Sequence, residues 1–487
     1  MSNMHYTRRD FVKTLGLGAA WLATPAALLA RSNGRVSKRN VLFIAVDDLR
    51  PQLNCYGHRQ MISPNIDRLA SEGVTFLRSY CQVPVCGASR ASLLTGVRPT
   101  RDRFLGYNVW AEKDLPGALS LAKHFRNNGY HTISNGKVFH HRTDCRDGWS
   151  EEPWRPKGTW RNYLLEENVK LAARNARHAG PPYEAADVSD NAYFDGMIAD
   201  KGISGLRRLK DRDKPFFLAL GFLKPHLPFN APQKYWELYK REEIDLADNP
   251  FRPKGCPDAA LHNWGELRAY EGIPKKGRLP DELARTLVHG YYACVSYTDA
   301  QIGRVLDELE RLGLHKNTVV VLWGDHGWNL REHGLWCKHC NFETSLHSPL
   351  IVTGPGIFGG QRTNALTEYL DIYPSLCQLC GLLPPEHLQG RSFVPLLVEP
   401  NREWKKAVFS RYYSGDSVKT DRYRYTEWQD KKGDTYARML YDHYVDWAEN
   451  VNIAEKPEHK DLVKELSKML EQVRRQSKVQ GLAAGRK

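Results

Sequence analysis

The chain has 487 residues, 41% of them hydrophobic and 26% charged, with a formal net charge of +14. That length suits one large domain plus a smaller one, and the composition is that of an ordinary globular protein without low-complexity tract or internal repeat. The positive charge attracts an anionic partner, but the basic residues are scattered and no nucleic-acid motif is present, which favours an acidic small or polymeric substrate over DNA.

Residues 1–30 read as an address. The stretch "TRRDFVKTLGLGAAWLATPAALLA" sets Arg8, Arg9, Phe11 and Lys13 before a modest apolar run ending in small residues. It is similar to a twin-arginine export signal with cleavage after Ala30. The competing reading is a membrane anchor, for which a run broken by Pro25 is short. Export by this route implies a bacterial source, a periplasmic or secreted product, and any covalent modification made before the folded chain crosses.

"RNVLFIAVDDLRP" is a continuous apolar run ending in Asp47 and Asp48, the pattern of a strand buried on both faces of a parallel sheet. "SPNIDRLASEGVTF" predicts an amphipathic helix entered through Ser63-Pro64 and then a short strand. "CQVPVCGASRASLLTGVRP" predicts a helix with Cys86 at its mouth, where the positive end of the helix favours a thiolate. The residues alone leave Cys86 open as nucleophile, metal ligand, disulfide partner or a site of modification. "PGALSLAKHFRNNGYHTISNGK" repeats helix and strand, and "KPFFLALGFLKPH", "HKNTVVVLWGDHG" and "SPLIVTGPG" add three more buried strands.

The expected fold is α/β, a large mostly parallel sheet sandwiched by helices over residues 38–400. Beyond it, residues 401–480 read as a smaller α+β subdomain, an antiparallel meander followed by the helix "KDLVKELSKMLEQVRRQ". Two CxxC pairs, Cys337/Cys340 and Cys377/Cys380, imitate a zinc ribbon. The second pair falls at apolar positions of a predicted helix, so buried free thiols are the better reading. The oxidising destination permits disulfides.

Each chemically loaded cluster follows one of these strands: Asp47-Asp48, Lys137 with His140, His226, and Asp325-His326. Open α/β sheets bind ligands outside the carboxyl ends of their strands, so the four clusters share one rim. Any single strand-end acid could instead cap the next helix. Three acids and an imidazole suit Ca²⁺ or Mg²⁺ better than zinc. With Lys137, His140, His226 and Lys338 around it, such an ion suits a tetrahedral anion, a sulfate or phosphate ester.

"CGASRASLLTG" is similar to the sulfatase signature. "VDDLRPQLNCYG", "SPNIDRLA", "GKVFH", "KPHLPF", "SYTDAQIGRVLDEL", "DHGWNLREHGLWCKHCNFE" and "HSPLIV" resemble, in order and spacing, the iduronate-2-sulfatase branch of that family from Asn40 to about Gly390. The resemblance implies that a maturase oxidises Cys86 to formylglycine, whose hydrate attacks sulfur. It implies a metal held by Asp47, Asp48, Cys86, Asp325 and His326, with Arg90, Lys137 and Lys338 steadying charge. His226 would protonate the leaving sugar oxygen and His140 would remove a proton.

The expected substrate is a sulfated oligosaccharide, in particular a 2-O-sulfated uronate. Lys224 would add charge, while Trp328 and Trp336 would stack on sugar unless they only pack their loop. The alternatives are a phosphodiester or phosphonate monoester hydrolase of the same superfamily and a non-catalytic glycan-binding relative. No nucleic-acid partner and no stable membrane insertion after signal cleavage are expected.

Overall fold

The computed structural model describes residues 38–477, so the export signal expected at residues 1–30 lies outside the described residues. Seven strands form the main sheet: β1 (Asn40–Val46), β2 (Gly73–Phe76), β3 (His131–Gly136), β4 (Phe216–Phe222), β5 (Thr318–Gly324), β6 (Leu350–Thr353) and β7 (Gln361–Thr363). Their spatial order is β7-β2-β6-β5-β1-β4-β3. β1 pairs in parallel with β4 and β5, and β3 with β4. β6, the strand of "SPLIVTGPG", runs antiparallel to both β5 and β2.

The apolar run of β1 is explained by helices on both faces of the sheet. Leu42, Ile44 and Val46 point into a core shared with α1 (Pro64–Ser71), α4 (Phe194–Lys210) and α5 (Asp281–Arg311). Val41, Phe43 and Ala45 point the other way, onto α2 (Cys86–Thr95), α3 (Leu121–Asn127) and α6 (Ile372–Leu379). Period-two alternation therefore buries every residue of the strand. The start of α1 is capped from a distance, since Ser63 makes no side-chain cap. Asp299 of α5 accepts instead from the backbone N–H groups of Asn65 (3.1 Å) and Ile66 (2.7 Å).

The C-terminal part is a four-stranded antiparallel meander, β8 (Ala407–Tyr412), β9 (Gly415–Thr420), β10 (Tyr423–Gln429) and β11 (Thr435–Asp442), followed by α7 (Lys460–Gln476). Val418, Tyr425 and Leu440 pack on Val463, Leu466 and Leu470 of α7. Trp428, Met439 and Tyr441 join the main core. The seam includes Arg424, buried between Glu343 and Glu449.

All ten cysteines are buried free thiols. Cys340 sits 3.0 Å from Ser345 Oγ, and burial pushes both Cys377 and Cys380 up to about 12. Among the described residues no helix is long and apolar enough to cross a membrane.

Because β5, β1, β4 and β3 are adjacent and parallel, their carboxyl ends open on one rim. At the β3–β4 end the backbones approach so closely that a methyl group on Gly221 would overlap the Lys137 backbone, and Gly136 adopts φ +78°. Gly221→Ala is therefore expected to cost about 1–3 kcal/mol of stability, read as a lowered urea midpoint, and to lower activity with it. An unchanged midpoint would contradict the close approach.

Candidate active site

The sheet's hydrogen bonding continues one residue past the strands. Asp47 N–H donates to Phe222 O (3.1 Å), Asp325 N–H to Val46 O (3.2 Å) and Lys137 N–H to Gly221 O (2.7 Å). The side chains that follow are thus fixed by the ladder rather than carried on mobile loops. Asp48 turns out of the sheet at φ 60°, a region Asp tolerates better than bulkier residues. Its N–H donates to Asp325 Oδ1 (3.0 Å), and its carbonyl accepts from Tyr291 of α5 (2.9 Å).

Helix α2 brings Cys86 at its first position and Arg90 one turn later. Gly87 is obligatory there, because a side chain would overlap the Tyr107 carbonyl. Arg90, fully buried, donates Nε to Asp325 Oδ2 (2.9 Å), Nη2 to Asp47 Oδ1 (3.2 Å) and Nη1 to Val138 O (3.0 Å). Lys137 pairs with the other oxygen of Asp47. Lys338 Nζ lies 3.2 Å from Asp48 Oδ2 and 2.8 Å from Glu266 Oε2.

These pairings set the charge states. Burial pushes the Asp47 carboxyl up, but the Lys137 and Arg90 charges prevail and hold it well below the usual carboxylate range. For Asp48 burial wins over His226 and Lys338, and its carboxyl is raised. Burial also pushes the Cys86 thiol well up, with Asp47 adding to it against Lys137 and Lys338. The helix-mouth thiolate expected from sequence is thereby overridden: water exclusion and a neighbouring acid outweigh the helix field.

The donor set fits a divalent cation. His326 Nδ1 faces Gly327 O (2.9 Å), which turns Nε2 toward Asp48 Oδ1 (3.4 Å), Asp325 Oδ1 (3.6 Å) and Cys86 Sγ (3.3 Å). A nitrogen and two carboxylate oxygens facing one another beyond hydrogen-bond distance are the surroundings a cation relieves. Ligand atoms of Asp48, Cys86 and His326 lie within 4.8 Å of one another, as do those of Asp47, Cys86 and His226.

A cavity of about 950 Å³ opens onto Cys86 and Asp47, lined also by Lys137, His140, Lys224, His226, Glu266 and Lys338. The sulfatase family model matches residues 39–382, and a model for the C-terminal part of N-sulphoglucosamine sulphohydrolase matches residues 331–476. The chain belongs to the sulfatase family of sulfuric ester hydrolases. Iduronate 2-sulfatase of Mus musculus is 35% identical over 426 residues, 79% of this chain and 76% of the relative. A sulfatase of Formosa agariphila is 32% identical over 462 residues, 89% of this chain and 87% of that one. Among solved structures, one bound to D-glucosamine-2-N,6-O-disulfate has a TM-score of 0.72 at 23% identity, covering 92% of this chain and 100% of its own. The phosphonate monoester hydrolase of Agrobacterium radiobacter has a TM-score of 0.75 at 23% identity over 91% of this chain and 97% of its own. At that identity both speak to the fold.

The rim gathers Asp47, Asp48, Lys137, His140, His226, Asp325 and His326, which follow the strands, with Cys86 and Arg90 brought by α2 and Lys338 by the loop beyond β5. Three expected substrate contacts need correction. Trp328 and Trp336 are 1% and 2% exposed and belong to the core, so neither offers an indole face to a sugar. Trp328 instead lies under Lys338, whose ammonium sits 4.8 Å from the ring centre. Lys224 reaches the cavity wall, but its ammonium is held by the carbonyls of His226 (3.1 Å) and Pro228 and braces that loop.

Two contributors were not visible in sequence. Glu266 joins His226 Nε2 (3.1 Å) to Lys338 from a stretch without motif or periodicity. Trp160, 39% exposed, meets His226 edge-on with ring centres 5.0 Å apart. Its only signal was a tryptophan between Gly158 and Arg161 in a polar loop.

Arg90→Ala would leave the buried Asp325 without its cation and Asp47 with Lys137 alone. It is expected to cost about 3–5 kcal/mol in urea unfolding, whereas a loss confined to activity would show that the acids are neutralised by something else.

Proposed function

We propose that this sulfatase removes the 2-O-sulfate of a uronate at the end of a glycan chain. The observation that carries the reading is the charge of the cavity: Lys137, Lys338, Arg155, Arg161 and Arg177 line it against two acids, Asp47 and Glu266. That balance suits a substrate bearing both sulfate and carboxylate. The likeness to iduronate 2-sulfatases supports the uronate, and the twin-arginine-like residues 1–30 support action outside the cytoplasm in a bacterium.

In this reading the residues divide the chemistry by position. Lys137 and Lys338 bind sulfate oxygens. Arg90 keeps Asp47 and Asp325 in place and leaves the substrate to others. His226 Nδ1 faces Leu227 O (2.6 Å) while Nε2 faces Glu266 (3.1 Å). Nε2 also faces the cavity, where a proton on it would be placed to reach a departing sugar oxygen. His140 is held down at about 2 by burial and the Lys137 charge, and its buried Nδ1 has no hydrogen-bond partner. It stays neutral, with that nitrogen left to meet a group of the substrate.

A Ca²⁺ or Mg²⁺ held by Asp47, Asp48, Asp325 and His326 would supply charge neutralisation for the sulfate oxygens. Oxidation of Cys86 to formylglycine by a maturase would supply a hydroxyl nucleophile, which the raised thiol of Cys86 does not.

Protein made alongside a maturase is expected to yield a Cys86 peptide in which an aldehyde replaces the thiol. Active enzyme with only thiol there would overturn the nucleophile. Disaccharides sulfated at the 2-, 4- and 6-positions test the substrate, with sulfate release expected from the 2-O-sulfated uronate. Release from a 6-O-sulfated hexosamine alone would refute the uronate, and release of phosphonate esters in preference to every sulfate would refute the ester class.

A further inference from the structure

One wall of the cavity is built from residues between 155 and 178, and its three arginines, Arg155, Arg161 and Arg177, form no ion pair among the described residues. Arg155 is fixed by carbonyls alone, donating Nε to Gly136 O (3.1 Å) and Nη2 to Phe139 O (2.6 Å) and His140 O (3.1 Å). Burial brings it down to about 10, still charged at neutral pH. Arg161 lies over Trp160, 4.2 Å from the ring centre, and its Nε is buried without a hydrogen-bond partner. The two acids on the lining are engaged elsewhere, Asp47 with Arg90 and Lys137, Glu266 with His226 and Lys338.

Guanidinium groups are forked donors matched to carboxylate and sulfate, and an unanswered set of them in a concave wall is a binding site for an anion. The same wall presents Trp160, whose rigid, half-covered indole offers apolar area to a sugar ring. Trp160 touches His226 and Arg155 holds the His140 carbonyl, so the wall begins beside the reacting groups and leads away from them.

We propose that this wall is a second anion subsite, which reads a sulfate or carboxylate on the sugar next to the one that loses its sulfate, with that ring against Trp160. The inference rests on the sulfated-glycan reading and narrows it: the preferred substrate is an oligosaccharide with anions on two successive sugars.

The test uses two disaccharides with the same 2-O-sulfated uronate, linked to N-sulfated or to N-acetylated glucosamine. Binding is measured by calorimetry on protein made without a maturase, where Cys86 remains a thiol. The N-sulfated disaccharide is expected to bind about tenfold tighter or more, the scale of one charge-assisted contact. The Arg161→Ala/Arg177→Ala variant should cut that ratio to below about threefold, and Arg161→Lys/Arg177→Lys should keep part of it. Equal affinities in the parent protein, failure of both disaccharides to bind, or an undiminished ratio in the alanine variant would overturn the subsite. A thermal midpoint within about 2 °C of the parent establishes that the variant is folded. Sulfate release by matured enzyme is scored separately. No release from either disaccharide with the binding ratio intact would sink the 2-O-uronate assignment and leave the subsite standing.

Discussion

Three buried carboxylates, Asp47, Asp48 and Asp325, share one rim of the sheet. Left alone they would repel one another and resist burial, so the surrounding structure is arranged around their neutralisation. Arg90 crosses between two of them from a fully buried helix, Lys137 closes on Asp47, and Lys338 stands over Asp48. Each of these partners is itself placed by something rigid: α2, the glycine-tight end of β3, and the loop above β5. One oxygen each of Asp48 and Asp325 also faces His326, which is why the donor set suits a cation.

Charge changes character with distance from that centre. At the rim every acid has a basic partner, and the balance is local. Along the wall, Arg155, Arg161 and Arg177 have no acidic partner among the described residues. Glu266 stands at the boundary, tying His226 to Lys338 so that the imidazole and the ammonium keep a fixed separation.

Most of the sheet was legible because strands buried on both faces spell themselves out. "NVLFIAV" and "TVVVLWG" have no polar residue between their ends, and the acids that follow them can only sit at the strand tips. The direction of β6 was not legible, since a short apolar run packs equally well in either sense. Cys86 could be placed at the mouth of a helix, but its role and that of Arg90 came only from the likeness of "CGASRASLLTG" to the sulfatase signature. Glu266 could not be read, because its importance arises from how an irregular segment folds back over Lys338. The tryptophans failed for a related reason. Trp328 and Trp336 lie beside the site in sequence, yet nothing in a residue's identity says whether an indole turns to the core or to the cavity. Trp160, far from the acids in sequence, is the one exposed beside His226.

The complete burial of α2 has a bearing on the order of events in the life of the chain. Every residue from Cys86 to Thr95 is enclosed, with Tyr107 pressed against Gly87 and the thiol inside the ring of acids. A catalyst as large as another protein cannot reach that sulfur once the sheet and helices have closed over it. Any enzyme that acts on Cys86 must therefore meet the segment while it is still an extended polypeptide, and folding afterwards seals the product in place. The chemistry of the site and the moment of its assembly are set by the same helix.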